Sequence, residues 1–196
     1  MRILTTARLR LLPWEDRFKD DLVRLSADPR VTRYIGDGRP WGRDFAVQRH
    51  RAHLAHWAEH GFGWRAIVRD DEFIGIAALN RLGQAVPGID ESAIEVGWWL
   101  DPRVWGRGFA TEAALALRDE AFTHLGAERL VARFQSANLA SERVMTKLGM
   151  TRHGDTVGRA GERVRVYVLD RAAWRGAGSG QPMEPRADPH DLGQAR

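Results

Sequence analysis

The chain has 196 residues, with 30 Lys and Arg against 26 Asp and Glu, a formal charge of +4, and 43% apolar residues. That length suffices for one ordinary core, and the complete lack of cysteine excludes disulfides, thiolate-held zinc, iron–sulfur clusters and a cysteine nucleophile. Acids nearly balance bases, so a nonspecific nucleic-acid binder is not expected. Of the basic residues 28 are Arg, and only Lys19 and Lys147 are Lys; the basic isoelectric point therefore reflects late guanidinium titration more than charge excess. No apolar run approaches the roughly 18–20 residues that cross a bilayer, and the opening MRILTTARLRLLPW lacks the apolar centre of a signal peptide. The expectation is a soluble, unexported, cytoplasmic protein.

In chain order, the apolar pattern around Leu9 and Leu11, up to Trp14, predicts a first strand, followed by a helix from about Asp16 to Ala27 that stops before Asp28 and Pro29. A second helix is predicted from about Asp44 to His60, with Gly61 and Gly63 at its exit. Trp64 to Val68 and Glu72 to Leu82 read as a hairpin turning at Arg69, Asp70 and Asp71, and a loop spans Gln84 to Glu91. Ile94 to Leu100 is a strand. From Phe109 to Leu125 one apolar stripe, Ala110, Ala113, Ala114, Leu117, Ala121, Phe122 and Leu125, marks the clearest helix, stopped by Gly126. A strand at Arg129 to Phe134, a short helix at Leu139 to Leu148 and strands near Thr151 to Val157 and Val164 to Leu169 complete the body. The predicted class is α+β, a mixed but mostly antiparallel sheet with flanking helices. Residues 1–175 form one domain on this reading; 176–196, rich in Gly, Pro and Ser, form a flexible tail.

The most informative stretch leads from the strand ending at Leu100, through Asp101 and Pro102, to Gly106, Arg107 and Gly108, where the Ala-rich helix begins. Glycines let main chain approach an anion, and the first free N–H groups of a helix point at it. A dinucleotide fingerprint fails here because Thr111 occupies the third small position. A nucleotide P-loop fails because neither lysine follows a suitable glycine. Coenzyme A is the remaining common diphosphate; the plainer alternative is a tight strand-to-helix turn.

The segment Glu95-Val-Gly-Trp-Trp-Leu-Asp-Pro-Arg-Val-Trp-Gly-Arg-Gly-Phe-Ala-Thr-Glu-Ala113 resembles motif A of the GNAT superfamily of N-acetyltransferases. It is most similar to the RimJ/RimL-like branch that acetylates ribosomal-protein N-termini. Trp105 stands at the motif's Gln/Arg position, Gly108 and Ala110 are its small residues, and Gly106 is an extra one. Asn138 to Met150, the opening Thr6-Ala-Arg-Leu-Arg-Leu11, Asp28 to Tyr34, Gly61 to Trp64 and Phe73 to Ile76 also resemble family segments, so the likeness covers about residues 5–170. It implies the GNAT fold, with the sheet splayed between its fourth and fifth strands, and acetyl-CoA as co-substrate.

By that resemblance the pantetheine pairs with main chain at Trp98, Trp99 and Leu100, and the pyrophosphate sits on Gly106, Arg107, Gly108, Phe109, Ala110 and Thr111. Asn138 contacts the pantetheine or simply caps its helix. Arg143 and Lys147 meet the nucleotide phosphates, or are solvated charges near a helix end. An amine acceptor must be neutral when it attacks, and the developing oxyanion needs a donor; a main-chain N–H near Gly97 or Trp98 suits the latter. Alternation places Glu95 on the face of Gly97 and Trp99, which makes it the candidate base, unless it is a strand carboxylate paired with an arginine or a water relays the proton. Arg133 stands where some relatives carry a catalytic Glu. The leaving-group Tyr of many relatives is replaced by Met145, which leaves Ser141 as the candidate donor.

His50, His53, His56 and His60 fall within about a third of the second helix's circumference; a polar rim beside the acceptor cleft is expected in preference to a metal site, for which no third ligand is apparent. Trp41, Trp64 and Trp99 are candidates for an acceptor pocket. The expected function is direct acetyl transfer to a primary amine, either a protein N-terminus or a small molecule, by a monomer or homodimer without metal, membrane or nucleic acid. The competing reading is a noncatalytic acyl-CoA-binding module.

Overall fold

The computed structural model describes residues 2–158, 160–174 and 176, among which alternating and helical apolar periods give eight strands and five α-helices. The strands are β1 (Leu4–Thr5), β2 (Arg10–Pro13), β3 (Trp64–Arg69), β4 (Glu72–Arg81), β5 (Ile94–Leu100), β6 (Arg129–Gln135), β7 (Thr151–Val157) and β8 (Arg163–Asp170). The helices are α1 (Lys19–Ser26), α2 (Pro29–Thr32), α3 (Arg43–His60), α4 (Phe109–Thr123) and α5 (Leu139–Lys147). The proposed tail, Gly176 apart, lies outside the described residues. No helix among the described residues is long and apolar enough to cross a membrane.

All eight strands form one sheet in the order β1-β2-β3-β4-β5-β6-β8-β7. Every neighbouring pair is antiparallel except β5 and β6. That parallel pairing covers only Ile94↔Leu130 and Glu95↔Val131, whereas β5 stays paired with β4 from Ile94 to Leu100. The sheet therefore opens into a V beyond Glu95. The splay lies where it is expected, between the strand ending at Leu100 and the strand from Arg129; these count as the fifth and sixth strands because the two-residue β1, too short to show a period, adds an edge strand.

The two faces carry different covers. On one, α4 and α5 bury Ala113, Leu117, Phe122, Met145 and Leu148 against Leu79, Ile94, Val96 and Leu130. On the other, α1 and α3 pack Leu22, Leu25 and Trp57 against Trp14, Trp64, Ile76 and Ala78, while Val86 and Ile89 of the β4–β5 loop cover Val131, Val166 and Val168. Face sharing follows the two-residue period: Val96 and Trp98 face α4, and Trp99 faces the α1–α3 side.

Helix α4 ends at Thr123, two residues short of the predicted Leu125, with Gly126 at φ 66° turning the chain. Two α3 histidines are corrected from rim to core. His50 is 1% exposed, its Nδ1 accepting the Trp14 indole N–H at 3.1 Å and its Nε2 standing 3.0 Å from Asp16. His53 stacks on Trp64 with ring centroids 3.5 Å apart. With Ala46 and Trp57 they occupy the buried face at helical spacing, so α3 uses imidazoles where an ordinary helix uses aliphatics. His56 and His60 instead pack edge-on with each other and against Phe62. Burial, then repulsion from His60, holds the His56 imidazole below its ordinary pKa. Among the described residues no group of three or more His, Asp or Glu gathers to hold a metal.

Candidate active site

The V between β5 and β6 exposes strand edge. Main-chain groups alternate from edge to edge along a strand, and the Asp101 N–H donates to Ile74 O on the β4 side, which turns the main chain of Leu100 and Trp98 toward the gap. The Leu100 carbonyl already accepts the Trp105 indole N–H at 2.8 Å. The strand is seated by Gly75, where a Cβ would lie 2.3 Å from Trp99 O and 2.9 Å from Leu100 Cα; only glycine allows β4 and β5 this approach.

At the end of β5, Asp101 caps the turn Pro102–Val104. It accepts the Arg103 N–H at 3.0 Å and the Arg103 and Arg24 guanidiniums at 2.9–3.1 Å. The Arg103 side chain, then its N–H, and Arg24 hold this buried carboxyl down at about 2 against the opposing effect of burial. An Asp before a Pro is a turn-opening signal, but the Arg24 contact spans 77 residues and has no signature in the sequence.

Gly106 and Gly108 both adopt left-handed backbone, φ 76° and 80°, and a Cβ on Gly106 would meet no atom within 4 Å. Gly108 caps α4 without a side-chain partner, and the first helical bond is from Glu112 N to Gly108 O. The N–H groups of Phe109, Ala110 and Thr111 thus lack intrahelical acceptors and front an open loop. The Phe109 ring is buried beneath the Arg8 and Arg69 guanidiniums, 4.6 and 5.2 Å from its centroid, while Arg107 is exposed. Arg8 reaches this loop from the N-terminal segment. Its Nη1 donates to Arg107 O at 3.1 Å, and its N–H and Nε hold the two Glu112 carboxylate oxygens at 2.9 and 2.7 Å. Neither Arg8 nor Glu112 is singled out by sequence spacing, because 104 residues separate them.

Across the gap, Asn138 Oδ1 accepts the Ser141 N–H at 3.2 Å, capping α5. Met145 is 2% exposed in the core. Arg143 and Lys147 are exposed; Lys147 groups with Arg118, Leu148 and Trp174 around a shallow cavity. Arg118 is ten residues along α4 from Gly108, about 15 Å at 1.5 Å per residue, so Lys147 is not brought to the glycine loop.

On the opposite face of β5, the Glu95 carboxylate is held by both arms of Arg133, Nε to Oε1 at 3.0 Å and Nη2 to Oε2 at 2.7 Å. Their side chains are 17% and 7% exposed. Gly97, next on this face, has no atom within 4 Å of a notional Cβ. Beyond it Trp99 packs edge-on against Trp41 and Trp64, with centroids 4.9 and 5.2 Å apart. The open step over Gly97 is therefore flanked by a carboxylate–guanidinium pair and an aromatic wall.

Residues 8–151 match the model of a family described as an acetyltransferase (GNAT) domain. The chain is 31% identical over 152 residues to the FsC-acetyl coenzyme A-N(2)-transacetylase of Aspergillus fumigatus, an alignment covering 76% of this chain and 64% of that protein. It thus spans just under two thirds of that relative's length. The crystal structure of an acetyltransferase from Agrobacterium tumefaciens is similar with a TM-score of 0.71 at 30% identity, over 86% of this chain and 94% of that one. RimL, a ribosomal L7/L12 α-N-protein acetyltransferase solved with coenzyme A, shares the fold with a TM-score of 0.72 at 17% identity, over 88% and 100%.

Proposed function

The chain belongs to the GNAT acetyltransferase family, and from that premise we propose that residues 1–175 transfer the acetyl group of acetyl-CoA directly to the nitrogen of a primary amine, as in the RimJ/RimL-like branch. The observation that carries this reading is the V beside β5 leading into an uncapped helix start behind two left-handed glycines. Main chain at Trp98 and Leu100 suits an extended pantetheine, and N–H groups from Gly106 to Thr111 suit a pyrophosphate. Asn138 and Ser141 flank the thioester sulfur. Arg143 and Lys147, exposed on α5, meet the nucleotide phosphates or remain solvated charges near the helix end.

The amine approaches over Gly97. Its nitrogen lone pair attacks the thioester carbonyl carbon, the main-chain N–H of Trp98, the one of the Gly97–Trp98 pair turned to the gap, receives the oxyanion, and the C–S bond breaks as the C–N bond is kept. Glu95 accepts the proton lost by nitrogen, directly or through water, and releases it to solvent, while Ser141 hydrogen-bonds the departing thiolate, which takes a proton from solvent water and leaves as the thiol. An α-amine, with a pKa near 8, is already partly neutral at pH 7 and asks less of the base than an alkylamine near 10.4. The fungal relative's name, which specifies an N(2) acceptor, supports a nitrogen acceptor. No cysteine is needed, which suits a cytoplasmic setting.

The test is thiol release from acetyl-CoA with a panel of primary amines. Acceptor-dependent release is expected; saturable coenzyme A binding with no acceptor turned over would favour a noncatalytic module.

A further inference from the structure

Helix α3 buries two imidazoles that the transfer reaction does not use, His50 and His53. Hydrogen bonding fixes the state of the first. An indole N–H can only donate, so His50 Nδ1, 3.1 Å from Trp14 Nε1, carries no proton. The ring's proton lies on Nε2, which faces Asp16 Oδ1 at 3.0 Å. Trp14 is itself 1% exposed and begins a row of rings. It packs edge-on against Trp64 with centroids 5.7 Å apart, and Trp64 packs in turn against Trp99, the wall beside Gly97. His53 stacks on the same Trp64 ring.

A second proton on His50 sets N–H against N–H at the Trp14 contact and leaves a buried indole donor without an acceptor, which is costly. Attraction to Asp16 does not offset this, because that carboxylate is 82% exposed and screened by solvent. The other charged groups around the ring are Lys19, which acts on Asp16 from α1, and on α3 His53, whose Nε2 stands 3.2 Å from Arg49. Strands β2 and β3 bring the neutral indoles of Trp14 and Trp64. A charge on His53 would keep its stack, since an indole face attracts a cation, so His50 is the acid-sensitive grip on the row.

We propose that His50 is a positioning residue for the acceptor side: as a neutral imidazole it holds Trp14, and through Trp14 and Trp64 it sets Trp99, so that acid loosens the acceptor wall while the acetyl-CoA seat stays intact. This rests on the reading above that the amine approaches over Gly97. The main-chain side of the V, packed against α4 on the other face of the sheet, shares no ring with this row.

Histidine ordinarily changes charge between about pH 5 and 8, and the experiment spans that range. Indole N–H signals are followed by NMR in protein isotope-labelled at tryptophan and assigned by single Trp→Phe variants. Those of Trp14, Trp64 and Trp99 are expected to shift together with one midpoint, while Trp105 and Trp174, bonded elsewhere, stay still. His50→Gln, whose amide both accepts and donates and does not titrate, should hold the row still. Asp16→Asn should lower the midpoint, because it removes the partner of the charged imidazole. The functional readout is the inhibition constant of the N-acetyl product of the amine turned over fastest in the panel, an uncharged amide that does not follow acceptor protonation. It should rise about 10-fold on acidification in the unaltered protein and less than about 2-fold in His50→Gln, with acetyl-CoA affinity equal in the two proteins at each pH. A still Trp14 signal, a Trp99 signal that stays still while Trp14 moves, or the same rise in both proteins overturns the assignment and leaves amine transfer intact. If His50→Gln does not fold, an unmoved midpoint in Asp16→Asn excludes His50 as the titrating group. Transfer to no amine overturns the amine reading instead, and the indole spectra still decide whether His50 sets the row.

Discussion

The two sides of the V are made of different material. Toward α4, the surface consists of strand edge, two left-handed glycines and uncapped helix N–H groups, with few side chains engaged. Toward α1 and α3, it consists of side chains, the Glu95–Arg133 fork and the edge-packed Trp41, Trp99 and Trp64. Main chain presents the same groups whatever the residue, so the first side should be vulnerable to bulk and indifferent to side-chain deletion. The second should respond to the loss of single polar atoms.

The largest effect should come from adding bulk to the main-chain side. Gly108→Trp is expected to weaken acetyl-CoA binding by at least about 100-fold in a calorimetric titration. The fold should lose only the roughly 1–2 kcal/mol of a non-glycine residue in left-handed backbone. Arg107→Ala, by contrast, should change affinity less than about 3-fold, since the contact it makes in the structure is through its carbonyl. Equal affinity in Gly108→Trp and the parent would sink the loop assignment.

On the side-chain side, Glu95→Gln is expected to lower kcat by about 100-fold, the usual scale for a general base. The loss should be greater at low pH than at high pH, where the amine is already neutral. A pH profile parallel to that of the parent would exclude Glu95 as the proton acceptor.

This division also explains what could be read from the chain. The glycine loop was legible because a main-chain site demands particular residues close together: Gly106, Gly108 and a helix start. Strands β5 and β6 and helix α4 were legible because burial on one or both faces imposes a period. The acceptor side was not, since Glu95 and Arg133 lie 38 residues apart and meet only because β5 and β6 are neighbours. Glu95 was identifiable as a carboxylate facing the gap, but whether an arginine held it was a matter of sheet order. His50 and His53 failed as surface residues because the His50 nitrogens meet the buried Trp14 indole and the surface carboxylate of Asp16, and His53 stacks on Trp64 with its Nε2 beside the Arg49 guanidinium, which no hydropathy pattern reveals.

At the junction of the two sides, Asp101 couples α1 to the loop through Arg24 and Arg103. Its carboxyl is depressed from 3.8 to about 2, foremost by the Arg103 side chain, and the side chain is 8% exposed. A depressed acid stabilises the fold above its unfolded pKa and ceases to as pH falls through the folded value. About 2 kcal/mol of stability should therefore disappear between roughly pH 4 and pH 2. Asp101→Asn should lack this component of the acid loss in urea titrations and be less stable by a similar amount at neutral pH. An unaltered acid limb in the variant would show that the pair contributes nothing net.

The smallest effect tests whether side chains matter at all beside the main-chain seat. Burial works to raise the Glu112 carboxyl, but the Thr6 hydroxyl and Arg8 outweigh it and leave it below its ordinary value, an anion in the first turn of α4. Such a charge suits the helix dipole yet repels a diphosphate placed on the same N–H groups. Arg8, bound to both carboxylate oxygens, screens that repulsion. Its side chain is 48% exposed, so the effect is modest and sensitive to salt. Arg8→Ala should weaken acetyl-CoA binding about 3- to 10-fold at low ionic strength and less at high, and Arg8→Ala with Glu112→Gln should regain most of the loss. If the double variant binds as poorly as the single one at both salt concentrations, Arg8 acts by holding the loop in place and not by masking charge.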